Sequence, residues 1–292
     1  MAGTLIIDGN NLVHRTYWVA KNQAIRTNTA NTPEQINNFH IYFTLNAIFS
    51  YVTKFQPDKT IVVWDEKLVY RVNERKTMFG DYKGGRSTDN SPHQNNNTIK
   101  SMLRSLGIAS IFPSELEADD IVAYICKNYD GHKMIVSVDK DFIQLIDKTT
   151  SLYDPIRKIE YNYQNLYSLI GYSDVSLWFK AKCLAGDKSD NVPGIPKFGK
   201  AKIKKYLEGQ IELSEDEQAI FDRNNSLFNL NKITDNEAEQ EYYKTQLEVK
   251  VESNWDEFIM ECKNRAFNSI LNKKESWYSL FFLRNKLQSL FT

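Results

Sequence analysis

A chain of 292 residues is long enough for one large domain or two modest ones with a real core. Hydrophobic content of 41% and charged content of 25% are ordinary for a soluble globular protein, and no run approaches the length of a membrane span. The 37 basic and 37 acidic side chains cancel, so any nucleic-acid signal has to be local.

The N-terminus, MAGTLIIDGN, enters a strand directly rather than through a signal peptide, which fits a cytosolic protein. Residues 4–7 are a short apolar run that stops at Asp8-Gly9-Asn10-Asn11, which predicts a buried strand with an acid at its C-terminal end. Thr32-Pro33-Glu34-Gln35 is a helix start, with an N-cap threonine, proline at the first helical position and glutamine at the third. That helix carries Phe39, Phe43, Ala47 and Tyr51 and runs to near Phe55. After a Pro57-Asp58 turn, residues 60–64 form a second strand ending at Asp65. Strand, helix and strand with so long a crossover imply parallel pairing and a right-handed connection.

Residues 66–97 change character. Lys67, Arg71, Arg75, Lys76, Lys83 and Arg86 are interleaved with Tyr70, Phe79 and Tyr82, and the chain then turns to glycine and small polar residues that read as flexible. The basic part reads either as a solvated amphipathic helix or as a track for a phosphate backbone with aromatic stacking faces. Ser91-Pro92 starts the next helix, which carries Ile99, Met102, Leu103 and Leu106 and ends at Gly107. Residues 108–112 are a third strand.

Glu117, Asp119 and Asp120 then open an apolar-periodic helix through Ile121, Val122, Tyr124 and Ile125, which Gly131 ends. Residues 133–138 are a fourth strand that finishes in Asp139-Lys140-Asp141. Acids in the first turn of a helix complement its dipole, and Asp-x-Asp after a strand is common turn chemistry. The count decides between those readings and a site. Asp8, Asp65, the Glu117 group and the Asp139 group all fall at the same edge of a parallel sheet. So many carboxylates share a site only with a cation to balance them. An all-oxygen set with surplus negative charge suits Mg²⁺ or Mn²⁺.

After Asp147 the alternation stops. Leu152-Tyr153 and residues 158–161 form a small hairpin, and helices follow. Ser173 caps a helix through Val175, Leu177, Trp178, Ala181 and Leu184. Next come Gly186-Asp187-Lys188-Ser189-Asp190-Asn191, a Gly/Pro hairpin at residues 192–199 containing Gly194, Lys197 and Gly199, and a helix with Lys200, Lys202, Lys204 and Lys205. Helix N-terminal N–H groups beside ammonium groups suit a phosphate backbone, although the lysines alone also read as a solvated face. Residues 212–241 are acidic surface helices, and the aromatic residues from Trp255 on form a helical tail packed on the core. Cys126, Cys183 and Cys262 lack metal-ligand spacing and read as reduced core thiols. His14, His40, His93 and His132 form no cluster in the sequence and read as structural or surface residues.

Taken together, Asp8-Gly9-Asn10-Asn11 with Arg15, Trp64-Asp65, Tyr82-Lys83 with Arg86, Glu117-Ala118-Asp119-Asp120, Asp139-Lys140-Asp141 and the Gly186–Asn191 stretch resemble the 5′-nuclease family. That family includes flap endonucleases, the 5′-nuclease domain of bacterial DNA polymerase I and phage 5′→3′ exonucleases. The motifs come in the family's order over the first two-thirds of the chain, and the phage-type enzymes are the most similar. The resemblance implies an α/β fold of PIN type, a central mostly parallel sheet with helices on both faces, over residues 1–150, with a helical arch at 66–97. Residues 151–292 would be mainly helical, with a helix–three-turn–helix DNA-binding motif at 173–208. It implies one divalent ion on Asp8, Asp65, Glu117 and Asp119, and a second held or water-bridged by Asp120, Asp139, Asp141, Asp187 and Asp190. Lys83 and Arg86 would act at the scissile phosphate. Arg71, Tyr82, Gly194, Lys197, Gly199, Lys200, Lys202, Lys204 and Lys205 would contact nucleic acid, with a potassium ion on the hairpin at 192–199. Lys197 departs from the family's usual glycine, and the Ser137-Val138 turn before Asp139 is short.

The implied function is two-metal-ion hydrolysis of DNA, and of RNA primers, near 5′ ends, in replication or repair. The implied partners are branched or flapped duplex DNA, RNA/DNA hybrid and replication proteins, for a monomer in a bacterial cell or phage-infected host. Three other readings use parts of the same pattern. A dehalogenase-like phosphatase needs a second Asp two residues after the first, where Asp8 is followed by Gly9 and Asn10. A non-catalytic DNA-binding scaffold would leave the acids idle and mutually repelling. A PIN-type ribonuclease has no use for the hairpin at 192–199.

Overall fold

The structure, a computed structural model, describes residues 3–27, 32–65, 70–85, 89–112, 116–172, 174–230 and 237–283, without the side chains of 70, 71 and 237–239. Strands β1 (Thr4–Asp8), β2 (Lys59–Val63), β3 (Ala109–Ile111), β4 (Lys133–Val136), β5 (Thr150–Asp154) and β6 (Ile159–Tyr161) form one sheet in the order β3-β2-β1-β4-β5-β6. Only β6 runs antiparallel to its neighbour. The first four match the sequence expectation. The last two form the expected small hairpin, and it extends the main sheet through β5 beside β4. The α/β core therefore continues past residue 150. Strand β5 is only TSLYD, too short and too polar to announce a buried strand, yet Leu152 and Tyr153 are buried.

Both faces of the sheet are covered, which is why its central strands read as unbroken apolar runs. Helices α1 (Gly9–Thr27) and α2 (Pro33–Phe55) follow β1, and α3 (Tyr70–Met78) and α4 (Asn96–Ser105) follow β2. Leu5, Ile7 and Val62 pack with Leu12 and Val13 of α1, Ile41 and Leu45 of α2, and Met102 of α4. On the other face, Ile6, Ile61 and Ile135 pack on α5 (Ala118–Asn128) through Ile121, Val122 and Ile125. Thr32 caps α2, its hydroxyl accepting from the Gln35 N–H at 3.3 Å. Helix α1 was not anticipated. It starts directly at Gly9, which lies so close to β2 that a Cβ there would stand 2.8 Å from the Trp64 ring.

Helix α4 begins later than Ser91-Pro92 suggests. Those residues form a separate 3-10 turn at Ser91–His93. Pro92 is buried, and Asn95 donates to Asn37 at 3.1 Å and pairs with the His40 ring at 3.1 Å. The polar run from Asp89 to Gln94 is therefore anchored on α1 and α2, where flexibility was expected.

Helices α6 (Leu166–Ile170) and α7 (Val175–Ala185) follow the sheet. Ser173 lies outside the described residues, and the N-cap of α7 is Asp174, whose carboxylate accepts from the Leu177 N–H at 3.0 Å. A two-residue ladder of β7 (Gly186–Asp187) and β8 (Val192–Pro193) leads to α8 (Lys200–Leu207). Gly186 has φ of +75°, and a Cβ on it would meet the Gly194 nitrogen at 2.2 Å, so this crossing requires glycine. Helices α9 (Glu215–Phe228), α10 (Glu237–Glu248), α11 (Trp255–Asn264), α12 (Asn268–Leu271) and α13 (Lys274–Tyr278) follow. Phe258, Cys262, Phe267, Trp277 and Phe281 join the core under α2 and α4, as the aromatic tail predicts. All three cysteines are buried free thiols. Among the described residues no helix is long and apolar enough to cross a membrane.

Candidate active site

The C-terminal edge of the parallel strands carries the chemistry. Asp8 ends β1, Asp65 follows β2, Asp119 lies in the first turn of α5 and Asp139 follows β4. All four line one cleft of about 430 Å³, together with Lys83, Asn10, Asn11 and Asp89. Its opposite wall is His14, Trp18, Pro92 and His93. His14 and His93 were read from the sequence as structural or surface residues, and Trp18 was not singled out. His14 and Trp18 arrive through α1, the helix the sequence reading missed, and His93 through the 3-10 turn at Ser91–His93.

Asp8 and Asp65 are oriented by neutral donors. Asp8 accepts from the Asn11 N–H at 3.0 Å and from Ser137 Oγ at 2.8 Å. Ser137 Oγ also accepts the Asp139 N–H at 3.0 Å, so the short turn after β4 still delivers Asp139 to the cleft. Asp65 accepts from the Ala118 N–H at 2.8 Å, at the start of α5. Burial pushes the Asp8 carboxyl up to about 6, with repulsion from Asp65 adding to it. Burial and then Asp139 hold Asp119 well above the usual carboxylate range, and burial raises Asp139 too. The group repels its own ionised state and favours an added cation.

Glu117 and Asp120 are placed differently. Arg75 of α3 contacts Glu117 and reaches Asp120 Oδ1 at 2.8 Å. Asp120 Oδ2 also accepts the Glu117 N–H at 3.2 Å. Asp120 is fully buried in this pairing, at the helix start rather than in the lining of the cleft. Glu117 accepts from Tyr82 Oη at 3.3 Å and is in contact with the Lys83 ammonium. Burial acts to raise the Glu117 pKa, but Lys83 and Arg75 outweigh it and hold it below the usual value. Lys83 is thus held at the cleft, its own N–H donating to the Asp190 carbonyl at 2.9 Å. Tyr82 is buried with Cys183, Val192 and Phe228, so the segment after Asp65 docks on the helical part.

A second acidic group sits beside the first. Asp141 donates its N–H to Asp139 Oδ1 at 2.8 Å, and Lys182 of α7 bridges Asp141 to Asp187. Asp190 is buried nearby on the turn after β7. Lys197, Lys200, Lys202, Lys204 and Lys205 are all exposed, on and after the hairpin, and Gly199 precedes α8 as its N-cap. A Cβ on Gly194 would stand 2.2 Å from the Ala185 carbonyl oxygen, so the close crossing requires glycine there. Lys197 has φ of +57°, so it keeps the left-handed backbone that glycine favours. Arg86 and the side chain of Arg71 lie outside the described residues.

Among the described residues no three acidic, imidazole or thiol groups stand close enough to cage one ion. Mg²⁺ does not need such a cage, since it keeps several waters and takes one or two carboxylates. The raised carboxyls of the cleft fit it. The hairpin fits potassium less well, because the Pro193 carbonyl already accepts from Arg223 at 2.9 Å and Asn224 at 3.1 Å.

A family model described as the 5′-3′ exonuclease N-terminal, resolvase-like domain matches residues 3–171. The chain belongs to this family. Flap endonuclease Xni of Shewanella pealeana is 30% identical over 203 residues, covering 67% of this chain and 72% of that protein. DNA polymerase I of Lactococcus lactis subsp. cremoris is 30% identical over 214 residues, covering 70% of this chain and 24% of that protein. The match thus spans about a quarter of that polymerase's length. Among solved structures, the bacteriophage T5 D15 protein co-crystallised with metal ions superposes with a TM-score of 0.65 at 20% identity, covering 84% of this chain and 98% of that one. This last likeness shows the fold.

Proposed function

We propose that the chain is a divalent-metal-dependent 5′→3′ exonuclease and flap endonuclease that hydrolyses DNA near 5′ ends. The observation that carries the reading is the convergence of Asp8, Asp65, Asp119 and Asp139 on one cleft with Lys83 at its margin. Family membership and a flap endonuclease relative covered over most of its length support it. A bound Mg²⁺ or Mn²⁺ would supply an activated water and offset charge on the phosphodiester.

The chain's own residues do the rest. One or two of Asp8, Asp65, Asp119 and Asp139 would hold the first ion directly and the others would meet its waters, with Ser137 and the α5 N-terminus fixing two of the carboxylates. Asp141, Asp187 and Asp190 would serve a second. Glu117 would join the first set only by letting go of Lys83, and the freed ammonium would then meet the phosphate. Trp18, 39% exposed on the cleft's far wall, offers a stacking face to an unpaired base. The lysines of α8 would follow the duplex backbone without reading sequence. Flapped or branched DNA is the proposed substrate, RNA/DNA hybrid a second one, and a monomer the proposed state.

The test is digestion of a 5′-labelled flap DNA and a matched blunt duplex, with Mg²⁺ and with a chelator. Release of the flap in Mg²⁺ alone, faster than attack on the blunt duplex, is the expected result. Undigested flap in both conditions, with the protein folded, would leave a DNA-binding scaffold in place of the enzyme.

A further inference from the structure

Lys182 is out of place for a core helix. It lies on α7 between Ala181 and Cys183, both buried, and its side chain is 9% exposed. Its ammonium contacts Asp141, stands 2.8 Å from Asp187 Oδ2 and lies 4.7 Å from the centre of the Phe228 ring. Asp187 Oδ1 is saturated separately, by the Ser189 N–H at 2.8 Å and the Ser189 hydroxyl at 2.5 Å. The carboxylates of the second acidic group therefore already have a cation between them. In the first group Asp8 is oriented by the Asn11 N–H and the Ser137 hydroxyl, both neutral, and the ammonium at the cleft, Lys83, is engaged by Glu117 rather than lying between two cleft carboxylates.

We propose that Lys182 is a resident counter-ion of Asp141 and Asp187 that a second divalent ion must displace, so that the two acidic groups fill in sequence, the Asp8 group first. With Asp190 the group has three carboxylates, and one ammonium reduces their sum from three negative charges to two, which attracts a divalent ion less than the three carboxylates alone do. An ion entering beside the ammonium is repelled by it at short range. The four-carbon stem of lysine allows the head group to withdraw without moving the helix. Occupancy of the second group then depends on whatever favours that withdrawal, and a bound phosphodiester near Lys182 is one such group. The inference rests on the metal-dependent reading above.

Mn²⁺ binding to the metal-free full-length chain, followed by the electron spin resonance of free Mn²⁺, tests it. The native chain is expected to bind in two steps, and Lys182→Met to tighten the second step by about tenfold or more while leaving the first unchanged. A second step that is unmoved or weakened in a folded variant overturns the proposal. Because Lys182→Met removes the cation shared by two partly buried carboxylates, a measurement on the native chain stands beside it. Acetylation of Lys182, read by mass spectrometry, is expected to be slow without metal and to rise as Mn²⁺ passes the first step. Labelling that ignores Mn²⁺ contradicts displacement. A native chain that binds no Mn²⁺ at all, or whose first step survives Asp65→Asn, refutes the metal reading itself, whereas an intact first step with an unmoved second refutes only the role of Lys182.

Discussion

Arg75 and Asp120 form a buried ion pair, Nη2 to Oδ1 at 2.8 Å, with the side chains 2% and 0% exposed. The pair pins α3, which follows Asp65 in the chain, to the N-terminus of α5. Removing one partner of such a pair leaves a charge buried and uncompensated, at a cost of about 3–5 kcal/mol. Arg75→Met is expected to lower unfolding stability by that amount in urea melts. Asp120→Asn is expected to be milder and to leave first-step Mn²⁺ affinity unchanged within about twofold, since Asp120 serves the helix start. A large loss of Mn²⁺ affinity in Asp120→Asn would place that residue in the metal set.

Stability of the metal-free protein should fall as pH rises through the neutral range. Burial lifts Asp8 from 3.8 to about 6 and, with repulsion from Asp139, lifts Asp141 to about 7. A carboxyl whose folded pKa is raised binds its proton more tightly in the folded state. Its stabilising contribution is complete below the unfolded value and is lost as pH rises through the folded one. Between pH 5 and 8 we expect a loss of about 1–3 kcal/mol, read from the melting temperature in chelator, and its reversal in saturating Mg²⁺. A profile that is flat or rises with pH would show that these carboxyls titrate normally.

Lys83 is expected to matter more for the chemical step than for affinity. Its side chain, 11% exposed, faces Glu117 at the cleft rather than an outer surface. Lys83→Ala should slow single-turnover flap cleavage by about a hundredfold or more while changing duplex affinity by less than about threefold. Equal losses in both would make Lys83 a binding residue only.

The exposed lysines of α8 are expected to behave oppositely. Lys202→Glu with Lys205→Glu should weaken binding to every duplex alike and flatten the dependence of log affinity on log salt by about two. Loss confined to particular sequences would contradict a backbone grip.

What the sequence made legible follows from where the signal is local. Apolar runs closed by acids at Asp8, Asp65 and Asp139 state both the strand and its functional end, and the fold delivers them to one edge. Thr32-Pro33 states the start of α2 through capping chemistry that needs no tertiary context. Helix α1 was missed because Asp8-Gly9-Asn10-Asn11 has turn composition, and only packing of Gly9 on Trp64 turns it into a helix start. Strands β5 and β6 were legible as a hairpin but not as part of the sheet, because their apolar content is too small to show burial.

The site was not legible where partners come from distant segments. Nothing near Asp120 indicates Arg75, and nothing near Asp141 indicates Lys182. Each basic partner did leave a trace. Lys182 interrupts the buried face Ala181, Cys183 and Leu184, and a lysine so placed needs a carboxylate. Arg75 looked like one more solvated charge in a basic helix, and only the fold shows it inside.

The central claim is that the carboxylates at the sheet edge act through a bound metal ion. Single-turnover cleavage of a labelled 5′ flap by Asp139→Ala, in saturating Mg²⁺ and with folding checked by circular dichroism, tests it most directly. The account predicts a loss of at least about a hundredfold with flap affinity in chelator little changed. Near-normal cleavage by the folded variant would contradict it.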